Sequence, residues 1–166
     1  MTELSESAEV FSKQLAHQLL QKGYRLVVAE SCTGGWLAKV LTDLPGSSEW
    51  FDRGYVSYSN QAKQSMLGVC QQTLDRFGAV SPEIVREMTQ GALRQSGAEV
   101  AVAISGIAGP GGGSEEKPVG SVCFSWQISG CEPLVELCHF DGDRERVRWQ
   151  SVIHALEKLI EQLNNV

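Results

Sequence analysis

No run of lysine or arginine occurs anywhere in this 166-residue sequence, and the net charge is -6. A nucleic-acid surface needs a basic stripe, so that class of partner is excluded. One small anionic ligand held by local groups is not. No apolar run approaches the roughly 18 residues of a membrane span. The opening MTELSESAEV is polar and acidic, unlike a secretory signal. The cysteines, Cys32, Cys70, Cys123, Cys131 and Cys138, are odd in number and fit no zinc spacing. A reduced cytoplasmic protein with free, mostly buried thiols is expected. Histidine is scarce: His17 and His154 fall within terminal helical patterns, His139 in a strand pattern, and none lies in a glycine-rich turn. A Ser-His-Asp triad therefore has little to draw on.

What remains is ordinary for a globular protein, 42% apolar and 20% charged. One domain over residues 1–166 is expected. Apolar residues at Ala8, Phe11, Leu15, Leu19 and Leu20 have helical spacing, stopped by Gly23. Strands are expected over Arg25–Ala29, Phe51–Ser59 and Glu99–Ser105, and as a hairpin of VGSVCFSWQI with PLVELCHF. Helices are expected over Trp36–Leu41, over NQAKQSML with Asn60 as its cap, and from Ser81-Pro82 with Ile84, Val85, Met88 and Leu93 inward. The last helix buries Val152, Ile153, Leu156, Leu159, Ile160 and Leu163. Helices between strands, plus the hairpin, give an α/β fold: a three-layer α/β/α domain with a central mixed sheet.

Two turns rich in small residues follow two of these strands: Glu30-Ser31-Cys32-Thr33-Gly34-Gly35 and the stretch from Ser105 to Gly113. Ligands of open α/β sheets sit beyond the carboxyl ends of strands, where bare amides point at them. Neither turn is a P-loop or a dinucleotide fingerprint. Cys32 lacks the second cysteine of a redox pair, because Gly35 stands in its place. It reads as a small packing residue. Ser31 fits two readings, a helix cap and a nucleophile with oxyanion-binding amides behind it. A serine nucleophile needs a base. In YSNQAK, Tyr58 ends a strand and Lys63 lies on the next helical turn. A lysine serves as a base once burial lowers its pKa; it is equally an ordinary solvated helix residue.

Taken together, AESCTGG, YSNQAK, LGV, GAVS, ISGIAGPGGGSEEKPVG and GDRERVR resemble, in this order, the CinA C-terminal domain family over nearly the whole chain. The resemblance implies a serine amidohydrolase that converts nicotinamide mononucleotide to nicotinate mononucleotide and ammonia, in pyridine-nucleotide recycling. It implies a Ser/Lys pair with no metal and no cofactor, and a homo-oligomer. Carried onto this sequence, Ser31 is the nucleophile, Lys63 the base, and Tyr58 assists. Amides of Thr33, Gly34 and Gly35, or of the Gly106 loop, would hold the oxyanion. Amides of Gly109, Gly111, Gly112 and Gly113, or Arg144, would hold the phosphate. Glu30, Asn60 and Ser105 are expected around the substrate; Ser105 stands where many members have Thr and keeps the hydroxyl. Two other readings compete: a non-catalytic nucleotide-binding or regulatory module built on the same loops, and a thiol enzyme at Cys32.

Overall fold

The computed structural model describes the backbone of residues 2–166 and the side chains from residue 6 onward. Five strands form one sheet: β1 (Leu26–Glu30), β2 (Phe51–Val56), β3 (Val100–Gly106), β4 (Ser121–Ile128) and β5 (Leu134–His139), in the order β2-β1-β3-β4-β5. β1 runs parallel to β2 and β3, and β4 runs antiparallel to β3 and β5, so the sheet is mixed as expected. β1 is buried along its whole length. That is why its sequence is a continuous apolar run rather than an alternation.

Six helices cover the sheet: α1 (Thr2–Lys22), α2 (Trp36–Thr42), α3 (Asn60–Leu67), α4 (Gln71–Phe77), α5 (Pro82–Ser96) and α6 (Arg144–Asn164). Successive strand residues point to opposite faces. Leu26, Val28, Val100, Val102, Ile104, Phe124 and Trp126 pack with α1, α2 and α6. Val27, Ala29, Ala101, Ala103 and Cys123 pack with α3, α4 and α5. The small residues on the second face let α5 lie close to the sheet, where Thr89 Oγ1 and Ser125 Oγ share a hydrogen bond of 2.9 Å. Gly91 takes the same economy further. A Cβ there would stand 1.9 Å from the carbonyl oxygen of Leu67 at the end of α3.

The chain leaves β1 over one face through α2 and returns to β3 over the other through α5. The carboxyl ends of β1 and β3 therefore border the point where the winding reverses, the usual ligand position in such sheets. Both small-residue turns open there.

Several details differ from expectation. Ser59, not Asn60, caps α3: its Oγ accepts from the Ala62 amide at 3.0 Å. Both residues are good caps, and only the backbone tells them apart. α4 was not expected, because QQTLDRF buries only Leu74 and shows no period. Leu20 is 49% exposed, on the outer side of α1. Only Cys32 and Cys123 are buried; Cys138 is half-buried, and Cys70 and Cys131 are exposed.

Gly91→Ala tests the α3–α5 contact. On an exposed helix the change gains roughly 1 kcal/mol. Here overlap with a backbone oxygen is expected to cost about 1–3 kcal/mol, measured as a lower denaturant midpoint. A gain would show that α3 slides away freely.

Candidate active site

The turn after β1 hangs between two strands: the Ser31 amide donates to Ile104 O at 3.0 Å, and the Ser57 amide to Glu30 O at 2.9 Å. Glu30 locks it. Its buried carboxylate accepts from Thr33 Oγ1 (2.6 Å) and from the amides of Gly35 (3.1 Å), Leu37 (3.1 Å) and Ala38 (2.8 Å). A carboxylate at these first amides of α2 also meets the positive end of the helix dipole. Both oxygens are thus engaged by the turn and by α2, and the donors to them include no lysine. Gly35 enters α2 at φ 95, a conformation that favours glycine.

The same architecture brings Ser31 to Lys63. Lys63 sits on the first turn of α3, its amide bonded to Ser59 O at 3.0 Å. The side chain reaches back beneath the strand end and is 1% exposed. Nζ lies 3.0 Å from Ser31 Oγ, 2.9 Å from Ser57 O and 3.2 Å from Tyr58 O. Burial lowers the lysine pKa, opposed only by the smaller effect of the Cys32 thiol. Nζ donates to all three oxygens; once it loses a proton, two N–H groups still serve the two carbonyls and the lone pair is free for the serine hydroxyl. Ser31 Oγ has a second, longer acceptor in Tyr58 O at 3.5 Å.

Beside it, burial pushes the Cys32 thiol up to about 11. That effect outweighs the pull of Arg148 and Lys63. The thiol packs in the core beside α2, and its raised pKa disfavours the thiolate that a thiol enzyme needs, which weighs against that reading.

Tyr58 contributes to the pair through its carbonyl. Its phenol points outward, with the side chain's residue 55% exposed, and accepts from Arg144 Nη2 at 3.0 Å. Arg144 Nη1 donates to Gly109 O at 2.7 Å, so this one side chain joins Tyr58 to the second glycine-rich loop. Ser105 is buried and donates to Ala79 O at 2.8 Å, which fastens the loop before α5 instead of facing a ligand. Asn60 is exposed at the start of α3. In the loop, a Cβ at Gly106, Gly109 or Gly113 would strike Val122 or Val119, whereas Gly111 faces open space.

Arg148 was not foreseen. Its Nε donates to Cys32 O at 2.9 Å and Nη2 to Thr33 O at 3.1 Å, and its guanidinium lies 5.3 Å from the Trp36 ring. The i, i+4 spacing of Arg144 and Arg148 in GDRERVR was the available signal, since it sets both on one helix face. Together with Thr33, Gly34, Gly35, Trp36, Lys39 and Glu145 they line an open cavity of about 690 Å³ beside the Ser31 turn. Lys39 is paired with Asp43 at 2.5 Å, which leaves Arg144 and Arg148 against Glu145 and a lining of net positive charge.

The family model for the CinA C-terminal domain matches residues 8–163. The chain belongs to the CinA C-terminal domain family. Among its relatives, the nicotinamide-nucleotide amidohydrolase PncC of Escherichia coli (strain K12) is 52% identical over 151 residues, covering 91% of this chain and 92% of that protein. The protein of the same name from Pseudomonas putida is 49% identical over 148 residues, 89% of this chain and 92% of that one. A CinA-like protein of Akkermansia muciniphila is 45% identical over 95% of this chain but only 38% of its own length, so the same unit also occurs inside longer family members. The crystal structure of the competence/damage inducible protein CihA from Agrobacterium tumefaciens superposes with a TM-score of 0.91 at 44% identity, covering 95% of this chain and 96% of that one. A CinA superfamily structure from Klebsiella pneumoniae gives 0.92 at 39% identity, with 96% and 99% covered.

Within this family fold, the carboxylate of Glu30 is expected to hold the turn together. Glu30→Gln keeps the shape but sets an amide N–H₂ against backbone donors. A loss of about 2–3 kcal/mol of stability is expected, read by thermal or denaturant unfolding; a change within ~0.5 kcal/mol, the range of a neutral surface change, would refute the locking role.

Proposed function

We propose that this CinA-family chain is an amidohydrolase that converts nicotinamide mononucleotide to nicotinate mononucleotide and ammonia with Ser31 as nucleophile and Lys63 as base. The observation that carries the reading is the buried Lys63 amine 3.0 Å from the Ser31 hydroxyl. A cradle for a nucleotide has no use for a desolvated lysine against a serine. The names of the Escherichia coli and Pseudomonas putida relatives support a nicotinamide nucleotide as the substrate class.

The chemistry follows from the geometry. Neutral Lys63 takes the Ser31 proton as Oγ attacks the carboxamide carbon. The oxyanion is assigned to the amides of Cys32 and Thr33, since the Gly34 and Gly35 amides already donate to Ser31 O and Glu30. The C–N bond breaks, and the leaving nitrogen takes its proton from the Lys63 ammonium and departs as ammonia. Water attacks the acyl carbon, yields its proton to Lys63, and the acid leaves as Oγ recovers that proton.

The phosphate is assigned to the cavity of Arg144, Arg148 and Lys39; Arg144 is also bonded to Gly109 O, and the amides of Gly111 and Gly112 follow on that loop. Tyr58, held by Arg144, then marks the mouth of the site rather than the proton path. The reading includes a single domain and, on family resemblance, a homo-oligomer in the cytoplasm. Among the described residues no helix is long and apolar enough to cross a membrane.

The test is ammonia release from nicotinamide mononucleotide with EDTA present. Ser31→Ala and Lys63→Ala are each expected to lower the rate by roughly 10²–10⁴ or more while staying folded. The wild-type kcat/KM rises with pH as Lys63 loses its proton, with a midpoint below the ordinary lysine value of ~10.4. That limb disappears in Lys63→Ala. A folded wild type that binds the nucleotide and releases no ammonia would instead make the site a regulatory cradle.

A further inference from the structure

A second cluster of reactive side chains lies far from the Ser31 turn. Glu136 and Cys138 are two apart on the edge strand β5, so they share one face, and their cross-strand partners Phe124 and Val122 both belong to the core under α6. His154 descends from α6 onto the same spot. Its Nε2 is 3.5 Å from Cys138 Sγ and 3.0 Å from Glu136 Oε2. Carboxylate, sulfur and ring-nitrogen atoms all lie within 4.8 Å of one another, in a half-buried setting.

Stability alone is a poor explanation of this trio. An inward-pointing acid on an edge strand does protect against edge-to-edge pairing, and Glu136 has that property. It does not require a thiol and a carboxylate to converge on the same imidazole nitrogen.

We propose that Glu136 Oε2, Cys138 Sγ and His154 Nε2 form a three-ligand site for a divalent transition ion of borderline softness, zinc above all, with a further position open to solvent. Sulfur at ~2.3 Å and nitrogen at ~2.0 Å from a tetrahedral zinc stand about 3.5 Å apart, which is the Sγ···Nε2 separation here. The mixed S, N, O donor set suits zinc and its neighbours and disfavours magnesium and calcium, which take oxygen. Thiolate and carboxylate together balance the ion's charge. The thiol proton leaves to solvent as the metal–sulfur bond forms.

The surroundings are those of an oriented ligand set. The imidazole is wedged edge-on among Phe124, Trp126 and Phe140, at 4.9, 5.7 and 5.9 Å between ring centres. Glu136 Oε1 faces Lys158 Nζ at 3.4 Å, which leaves Oε2 for the ion and fixes the carboxylate plane. Lys158 in turn leans on Glu161 at 2.9 Å. The site is remote from catalysis. Glu136 pairs with Phe124, Phe124 with Ile104, and Ile104 with Glu30. Three strand spacings of ~4.8 Å set it about 14 Å from the Ser31 turn. Its effect is to clamp the edge strand to α6.

The experiment uses the full chain, stripped with a chelator and titrated with Zn²⁺ or Co²⁺ alone. One equivalent of Co²⁺ is expected to give a near-ultraviolet thiolate-to-cobalt charge-transfer band, and Zn²⁺ to raise the melting temperature. Both effects are expected to vanish in Cys138→Ser, with affinity reduced about tenfold or more, and to persist in Cys70→Ser/Cys131→Ser, which removes the exposed thiols. Because Ser is nearly isosteric with Cys, the variant keeps the fold. An unchanged band in Cys138→Ser, a band lost with the exposed thiols, or no uptake by wild type overturns the site.

Discussion

A lysine amine held out of water against a serine hydroxyl is the constraint on which the rest of this structure turns. Lys63 has two carbonyls and one hydroxyl around its nitrogen and no carboxylate bonded to it among the described residues. An ammonium in such a place bears desolvation with no ion to offset it. The neutral amine does not. Because the folded pKa is lowered, the unfolded chain binds more protons between that value and ~10.4, so this group adds stability as pH rises through the window and none of that gain exists below it. The fold thus accepts a cost at low pH and holds Lys63 more readily neutral than a free lysine.

Everything nearby serves to hold that contact. The Ser31 turn is pinned to β3 by Ile104 and to its own helix by Glu30. α3 begins at a true cap on Ser59, which fixes where the Lys63 stem starts. α5 presses on α3 through Gly91, so the helix that carries Lys63 is backed by the helix that covers the sheet. From the other face, Arg144 and Arg148 reach over the turn from α6 and close the distance between the two glycine-rich segments. A second reading, that the loops are only a nucleotide cradle, leaves the buried amine unexplained.

Much of this was legible in the sequence. β1 and β3 are apolar runs bounded by turns, and Ser81-Pro82 marks the start of α5 without ambiguity. The scarcity of histidine points to lysine, and the family resemblance of AESCTGG and YSNQAK implies the roles of Ser31 and Lys63. What failed to show has a physical reason in each case. Ser59 and Asn60 are equally able caps, so one position was misassigned. α4 buries a single leucine and carries no period. Glu30 looked like a ligand group because an acid beside a serine does; only its bonds to four donors reveal a brace. Arg148 and His154 act across more than a hundred residues and across sixteen, respectively. Tertiary packing brings such groups together, and local pattern carries no trace of it.

The most direct measurement is the protonation state of Lys63 itself, followed by NMR through the Cε or Nζ signal of the full chain and assigned by comparison with Lys63→Met. The expected result is an amine whose titration midpoint lies clearly below the ordinary ~10.4, so that a neutral fraction is present where the enzyme works. A signal that stays ammonium up to that value, with the fold intact, would contradict the central claim and leave Ser31 without its base.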